Sequence, residues 1–359
     1  MFKSSLNNII PYTPGKSIES IQKEFKLTDI IKLASNENPL GSAVDFTTVF
    51  SNIELYPDYT THPFIGQLAT HLNITNNQLI LGNGSDEILQ IIALALILPG
   101  DEIVSANCTF SEYKFVAQIT GAKYIETAME NQTYNVNNLI NALTNRTKII
   151  FIANPNNPTG TILTHSDIEK LMMATSPNTL VVLDEAYAEY ATDPNYPRSL
   201  ELVKKHPNLL ITRTFSKIYG LASLRIGYGI AQPQIIEGLQ KVRQPFNVNG
   251  LALECASKAL KNQSFVQQSI QTNNEGKKFL LNELRDMKCT IPKSEGNFLY
   301  IEFHTANGIQ LCEDLLKSGI IIRSMKSFGQ NNAIRVTIGT LEQNQRFIKE
   351  LHECLKKQS

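Results

Sequence analysis

Val181-Val182-Leu183-Asp184-Glu185-Ala186-Tyr187 is an apolar, β-branched run that stops on a carboxylate. Its length and composition suit a strand buried on both faces, as in a parallel sheet. A carboxylate ending such a strand is costly unless a cation or a hydrogen-bonding network meets it. Similar short runs flank it at residues 102–105, 148–153, 209–212 and 225–230. Helix-length segments lie between several of them, such as 166–174 after the turn Pro158-Thr159-Gly160. The apolar stretch 88–98 reads as a buried helix. This alternation predicts an α/β domain with a mostly parallel sheet.

The alternation breaks at residues 244–250. A helical stretch (251–262) and a long polar helix (264–287) follow, then strand-like runs at 297–303, 320–323 and 333–338. They predict a smaller α+β unit. The first 35 residues mix polar and apolar character, with a turn signal at Pro11-Tyr12-Thr13-Pro14-Gly15 and a short helix over 17–25. The expected division is an N-terminal segment packing with the small unit (1–35), a large domain (36–250) and a small C-terminal domain (251–359).

Composition narrows the function classes. Lys+Arg and Asp+Glu both number 33, so no global field favours nucleic acid or an anionic membrane. The stretch 88–98 is far shorter than the roughly 20 apolar residues of a spanning helix. The five cysteines form no C-x-x-C pair, which argues against a zinc site or a disulfide framework and suits a reducing cytoplasm. The N-terminus does not read as a signal peptide.

Local features carry the chemistry. Gly82-Asn83-Gly84-Ser85-Asp86-Glu87 precedes the apolar helix; a helix N-terminus after glycines favours an anion, although a plain N-cap looks the same. Asn154-Pro155-Asn156-Asn157-Pro158-Thr159-Gly160 is a rigid loop at a strand's C-terminal end, where ligands bind in open α/β sheets. Thr214-Phe215-Ser216-Lys217, with Arg225 eight residues on, offers two hydroxyls and a guanidinium for a phosphate. A lysine in that cationic setting could form an imine. Ile334-Arg335-Val336 places an arginine in an apolar strand, with Arg323 ending the run before it; a bidentate Arg–carboxylate contact is one use and a structural salt bridge the other. For Asp184, a protonated pyridine nitrogen would be a partner, and helix capping the plain alternative. Together these supply a phosphate cradle, a pyridinium partner, an imine-forming lysine and an anion clamp, which is what pyridoxal 5'-phosphate (PLP) requires.

Nearly end to end, the chain resembles the fold-type I, PLP-dependent class I/II aminotransferases. The matching pieces are Asn156-Asn157-Pro158-Thr159-Gly160, Asp184-Glu185-Ala186-Tyr187, Ser216-Lys217, Arg225 and Ile334-Arg335-Val336-Thr337-Ile338-Gly339-Thr340. Pro11-Tyr12-Thr13-Pro14-Gly15-Lys16, Ser35-Asn36-Glu37-Asn38-Pro39 and Tyr56-Pro57-Asp58 also match, and the first and last of these resemble the histidinol-phosphate branch more narrowly. The resemblance implies a seven-stranded sheet in the large domain. It implies that Lys217 forms a Schiff base with PLP and then moves a proton, and that Asp184 pairs with the pyridinium. Asn157 and Tyr187 would bond the phenolic oxygen. Gly84, Ser85, Asp86, Thr214, Ser216 and Arg225 would hold the phosphate, and Phe110 would stack on the ring. Tyr56 would reach the cofactor of a second subunit, which implies a homodimer with shared active sites. Arg335 would grip the glutamate carboxylate, while Arg323, Tyr12, Asn38 and Asn157 would join it in binding substrate; no metal is implied. An aromatic or broad-specificity aminotransferase, a threonine-phosphate decarboxylase on the same scaffold and a PLP-binding regulator are the rival readings.

Overall fold

The computed structural model describes residues 9, 16–49 and 54–358. Its frame is a seven-stranded sheet in the spatial order Leu79–Gly82, Gly227–Ile230, Leu209–Thr214, Leu180–Asp184, Thr147–Ala153, Glu102–Ala106 and Lys123–Thr127. The five strands from Leu209–Thr214 to Lys123–Thr127 run parallel. Gly227–Ile230 is antiparallel to both its neighbours. Leu180–Asp184 lies centrally and is buried throughout, as its apolar composition requires.

Apolar residues cover both faces. One face holds Val181, Leu183, Ile150, Ile152 and Phe64; the other holds Val182, Phe151, Ile88 and Ile92. The chain leaves Glu102–Ala106 toward one edge and Thr147–Ala153 toward the other. These adjacent strands therefore form a topological switch point, with a crevice beyond their C-terminal ends. Segments 107–111 and 154–157 border that crevice.

The smaller unit is a four-stranded antiparallel sheet in the order Arg323–Ser324, Ala333–Thr337, Phe298–Phe303 and Cys289–Thr290. Leu299, Ile301, Ile334 and Phe347 centre its core. The helix Gln263–Glu283 places Val266 in the large unit's core and Leu280 in the small one's. The preceding helix, Gly250–Lys261, buries Ala252, Leu253 and Ala256 against the large unit. Drawn by core membership, the large unit therefore extends beyond residue 250.

Some expectations change. The single run expected at 320–323 is two short strands in different sheets. Ile320–Ile321 pairs in parallel with Ile31–Lys32, and Arg323–Ser324 pairs antiparallel with Ala333–Thr337. The long helix ends at Glu283, short of Met287. The stretch read as a buried helix is Ser85–Leu96, and only one side of it is covered; Leu94 is 62% exposed and Leu98, past its end, 68%. The edge strand Lys123–Thr127 was not foreseen, because its polar positions break the apolar signal. Among the described residues no helix is long and apolar enough to cross a membrane.

Candidate active site

A cavity of about 440 Å³ opens at the switch point, lined by both units and by the segment after Ile31–Lys32. It collects Ser85, Asp86, Phe110, Asn157, Asp184, Tyr187, Thr214, Ser216, Lys217, Arg225, Arg323 and Arg335. Residues far apart in sequence thus meet because the large sheet's strand ends share one edge, and the small sheet brings Arg323 and Arg335 against it.

At one end is an anion cradle. Helix Ser85–Leu96 begins at Gly84, with no side chain capping its first turn. Free N–H groups and the helix dipole there favour negative charge. Arg225 donates from Nη1 to Ser216 Oγ at 3.3 Å and from Nη2 to Asp86 Oδ2 at 3.2 Å. Thr214 Oγ1 donates to Ser216 Oγ at 3.0 Å. Gly84 adopts φ +81°, and a Cβ there would strike the Arg225 guanidinium. Glycine is needed for both the conformation and the close approach.

The floor is Asp184, 4% exposed. Tyr113 Oη donates to its Oδ2 at 2.9 Å, and Thr212 Oγ1 donates to its Oδ1 at 2.9 Å. Thr212 is its direct neighbour on the adjacent parallel strand. Burial pushes the Asp184 carboxyl up to about 6, and the two hydroxyl donors offset only part of that rise. On the opposite face of the same strands lies a second carboxylate. Glu185 Oε2 accepts from Arg213 Nε and Nη2 at 2.9 and 2.8 Å and from Ser199 Oγ at 3.0 Å.

Lys217 crosses the cavity. Its Nζ donates to Ser35 O at 3.2 Å and sits 5.8 Å from the Tyr187 ring centroid. Phe110 lines the wall and meets Tyr113 edge-on, with centroids 5.6 Å apart. At the far end Arg335 Nη1 donates to Asn157 Oδ1 at 2.6 Å and its Nη2 to Ala34 O at 2.7 Å. Arg323 is paired directly with Arg335 across the antiparallel strands. Two guanidinium side chains on one face of a strand pair repel, and an anion between them relieves the cost. Among the described residues no cluster of His, Cys, Asp or Glu could hold a metal ion.

Two expected side chains, those of Asn38 and Tyr56, do not line the cavity. The Asn38 Nδ2 donates to Ile218 O and Ser269 Oγ at 2.8 and 2.9 Å, and its Oδ1 accepts from Leu40 N. Its polar groups brace the segment that follows Lys217. Tyr56 is 83% exposed and stacks on Phe246, with centroids 4.9 Å apart, outside this chain's cavity. Tyr12 lies outside the described residues. Sequence reasoning passed over Tyr113, Thr212, Ser35 and Asn36. A threonine after the apolar Leu209-Leu210-Ile211 was a usable signal; Tyr113, on a helix beyond another strand, had none.

A family profile described as Aminotransferase class I and II matches residues 28–351. A histidinol-phosphate aminotransferase of Moorella thermoacetica is 43% identical over 358 residues, covering 98% of this chain and 92% of that protein. One of Brevibacillus brevis is 41% identical, covering 98% of each. Among solved structures, the histidinol-phosphate aminotransferase of Sinorhizobium meliloti in complex with pyridoxal-5'-phosphate superposes with a TM-score of 0.91 at 22% identity. That match covers 100% of this chain and 98% of that one, and at this identity it speaks for the fold. Profile, relatives and fold agree with the site: this chain belongs to the class I and II aminotransferase family, in its histidinol-phosphate aminotransferase branch.

Proposed function

We propose that the chain is a PLP-dependent histidinol-phosphate transaminase of histidine biosynthesis. It would move an amino group between glutamate/2-oxoglutarate and L-histidinol phosphate/imidazole-acetol phosphate, one substrate pair after the other. The observation that carries this reading is one cavity joining Lys217 and the buried Asp184 to an anion cradle at one end and an arginine pair at the other. The residues fit the cofactor. Asp184 is a buried carboxylate with hydroxyl partners, ready for a pyridinium N–H, and the uncapped helix at Ser85 with Arg225 suits a phosphate.

Bound PLP supplies an electron sink for the carbon that carries the transferred amine. Asp184 holds the proton of the ring nitrogen, and Tyr113 and Thr212 fix the direction of its carboxylate. Asn157 and Tyr187 would bond the phenolic oxygen, and Phe110 would stack on the ring. The backbone N–H groups of Ser85 and Asp86 at the helix start, with Thr214, Ser216 and Arg225, would hold the phosphate, and the Gly84 backbone lies behind them. Lys217 provides the attaching amine and, when free, carries a proton at Nζ. Arg335 orients the substrate carboxylate, and Arg323 beside it, with Tyr12, takes the phosphate of the phosphorylated substrate.

The exposed pair Tyr56 and Phe246, with Leu55 and Phe46, is apolar surface that supports a homodimer in which Tyr56 serves the neighbouring cofactor. The scattered cysteines, which form no disulfide, support a cytoplasmic setting. The test is twofold. Purified protein should show a visible absorbance band and exchange amino groups between glutamate and imidazole-acetol phosphate; a Lys217→Ala variant that turns over both half-reactions at the wild-type rate sinks the assignment. A kcat/KM for phenylalanine above that for histidinol phosphate overturns the substrate instead.

A further inference from the structure

Residues 34–36 touch the chemistry in turn: Ala34 O accepts from Arg335, Ser35 O accepts from Lys217, and the Asn36 side chain reaches Tyr187. The third contact differs in kind because it is made by a side chain. Asn36 is 1% exposed and adopts φ +55°, a left-handed conformation that asparagine tolerates. Every polar group it has is engaged. Its N–H donates to Thr337 Oγ1 at 2.9 Å, and Thr337 Oγ1 donates to its Oδ1 at 3.1 Å. Asn297 Nδ2 donates to its carbonyl at 3.0 Å. Its Nδ2 donates to Tyr187 Oη at 3.0 Å. The segment 33–36, the small sheet and the Tyr187 loop thus converge on one amide.

The direction of the last bond matters. A tyrosine hydroxyl has one proton. With Oη accepting from Asn36, that proton is left to point into the cavity that Tyr187 lines. The ring cannot swing aside, because Phe298 packs edge-on against it with centroids 5.0 Å apart. We propose that Asn36 is a positioning residue: by donating to Tyr187 it fixes the hydroxyl as a hydrogen-bond donor toward the phenolic oxygen of the cofactor. This rests on the cofactor reading above.

Two substitutions separate polarity from mere presence. Asn36→Asp keeps the shape and the acceptor for Thr337, but its second oxygen can only accept, so it draws the Tyr187 proton away from the cavity. Asn36→Gly removes the side chain at a φ that glycine adopts freely, and leaves the Tyr187 hydroxyl proton free to turn. A donor on the phenolic oxygen favours the form of the bound cofactor in which that oxygen bears the larger negative charge. Losing the donor therefore raises the pH midpoint of the visible absorbance change.

The experiment is a spectrophotometric pH titration of the PLP-loaded wild type, Asn36→Asp, Asn36→Gly, Tyr187→Phe and the Asn36→Gly/Tyr187→Phe double variant. Asn36→Asp should raise the midpoint about as far as Tyr187→Phe, by about tenfold in proton affinity. Asn36→Gly should raise it less, and should add nothing in the Tyr187→Phe background. A role confined to packing would lower thermal stability without placing Asp above Gly in midpoint. A midpoint unmoved by Asn36→Asp overturns the proposal. Should that variant not fold, an Asn36→Gly shift that is absent, or equal in both Tyr187 backgrounds, overturns it as well. A wild type with no visible band after incubation with PLP overturns the cofactor reading, and this proposal with it.

Discussion

Asp184→Asn should stabilise the protein stripped of cofactor and destabilise the loaded protein. The carboxyl rises from its ordinary 3.8 to about 6 because burial disfavours its charge. A group whose folded pKa is raised contributes stability that is complete below its unfolded value and is lost as pH rises through the folded one. Charging Asp184 therefore costs the stripped protein ~3 kcal/mol above pH 6. Asparagine imitates the protonated form: it keeps the shape, and the Tyr113 and Thr212 hydroxyls can turn to suit an amide. By urea denaturation without PLP, the variant should exceed wild type by up to ~3 kcal/mol at pH 7.5, and the difference should vanish near pH 3.5. With saturating PLP the order should invert, since asparagine cannot pair with a pyridinium. Taking the difference between two proteins cancels the titrating groups that do not interact with Asp184. A stripped variant less stable than wild type at pH 7.5, or a difference that does not vary with pH, refutes the reasoning.

Three further outcomes follow from the same geometry. Arg213→Leu strands the fully buried Glu185 without its cation and should cost about 3–5 kcal/mol in denaturant unfolding. Gly84→Ala puts a Cβ against Arg225 at φ +81°, a strain of order 1–3 kcal/mol, so PLP affinity measured by fluorescence titration should fall about tenfold or more. Arg335→Lys keeps the charge but loses the two-pronged donor that holds Asn157 and Ala34; steady-state kinetics should show KM for glutamate rising about tenfold, with a smaller fall in kcat.

Much of the site was legible because its chemistry is written locally. Lys217 with Ser216 and Arg225, and Asp184 at the end of an apolar strand, are polar residues where composition alone would place apolar ones. Their convergence follows from the parallel sheet, whose strand ends share one edge. Tyr113 and Asn36 were not legible as site residues, because each acts on a group more than 70 positions away through a single side-chain bond. Asn38 shows the converse: a polar residue in a site-like motif can bond to backbone and serine rather than line the cavity. The large sheet was readable from its buried strands, whereas the edge strand Lys123–Thr127 and the two-residue strands carry too few apolar positions to announce themselves.

The pairing of Ile31–Lys32 with Ile320–Ile321 bears on how the enzyme is born. Ala34 and Arg335 meet across 301 positions, as do Asn36 and Thr337. A ribosome adding about 5–20 residues per second needs roughly 15–60 s to span that gap. Through that interval the nascent large unit can close its sheet, yet its lysine and tyrosine lack the strap that orders them. Reactivity is thereby postponed to the last stage of synthesis, and a prematurely terminated chain would carry the lysine without the means to use it.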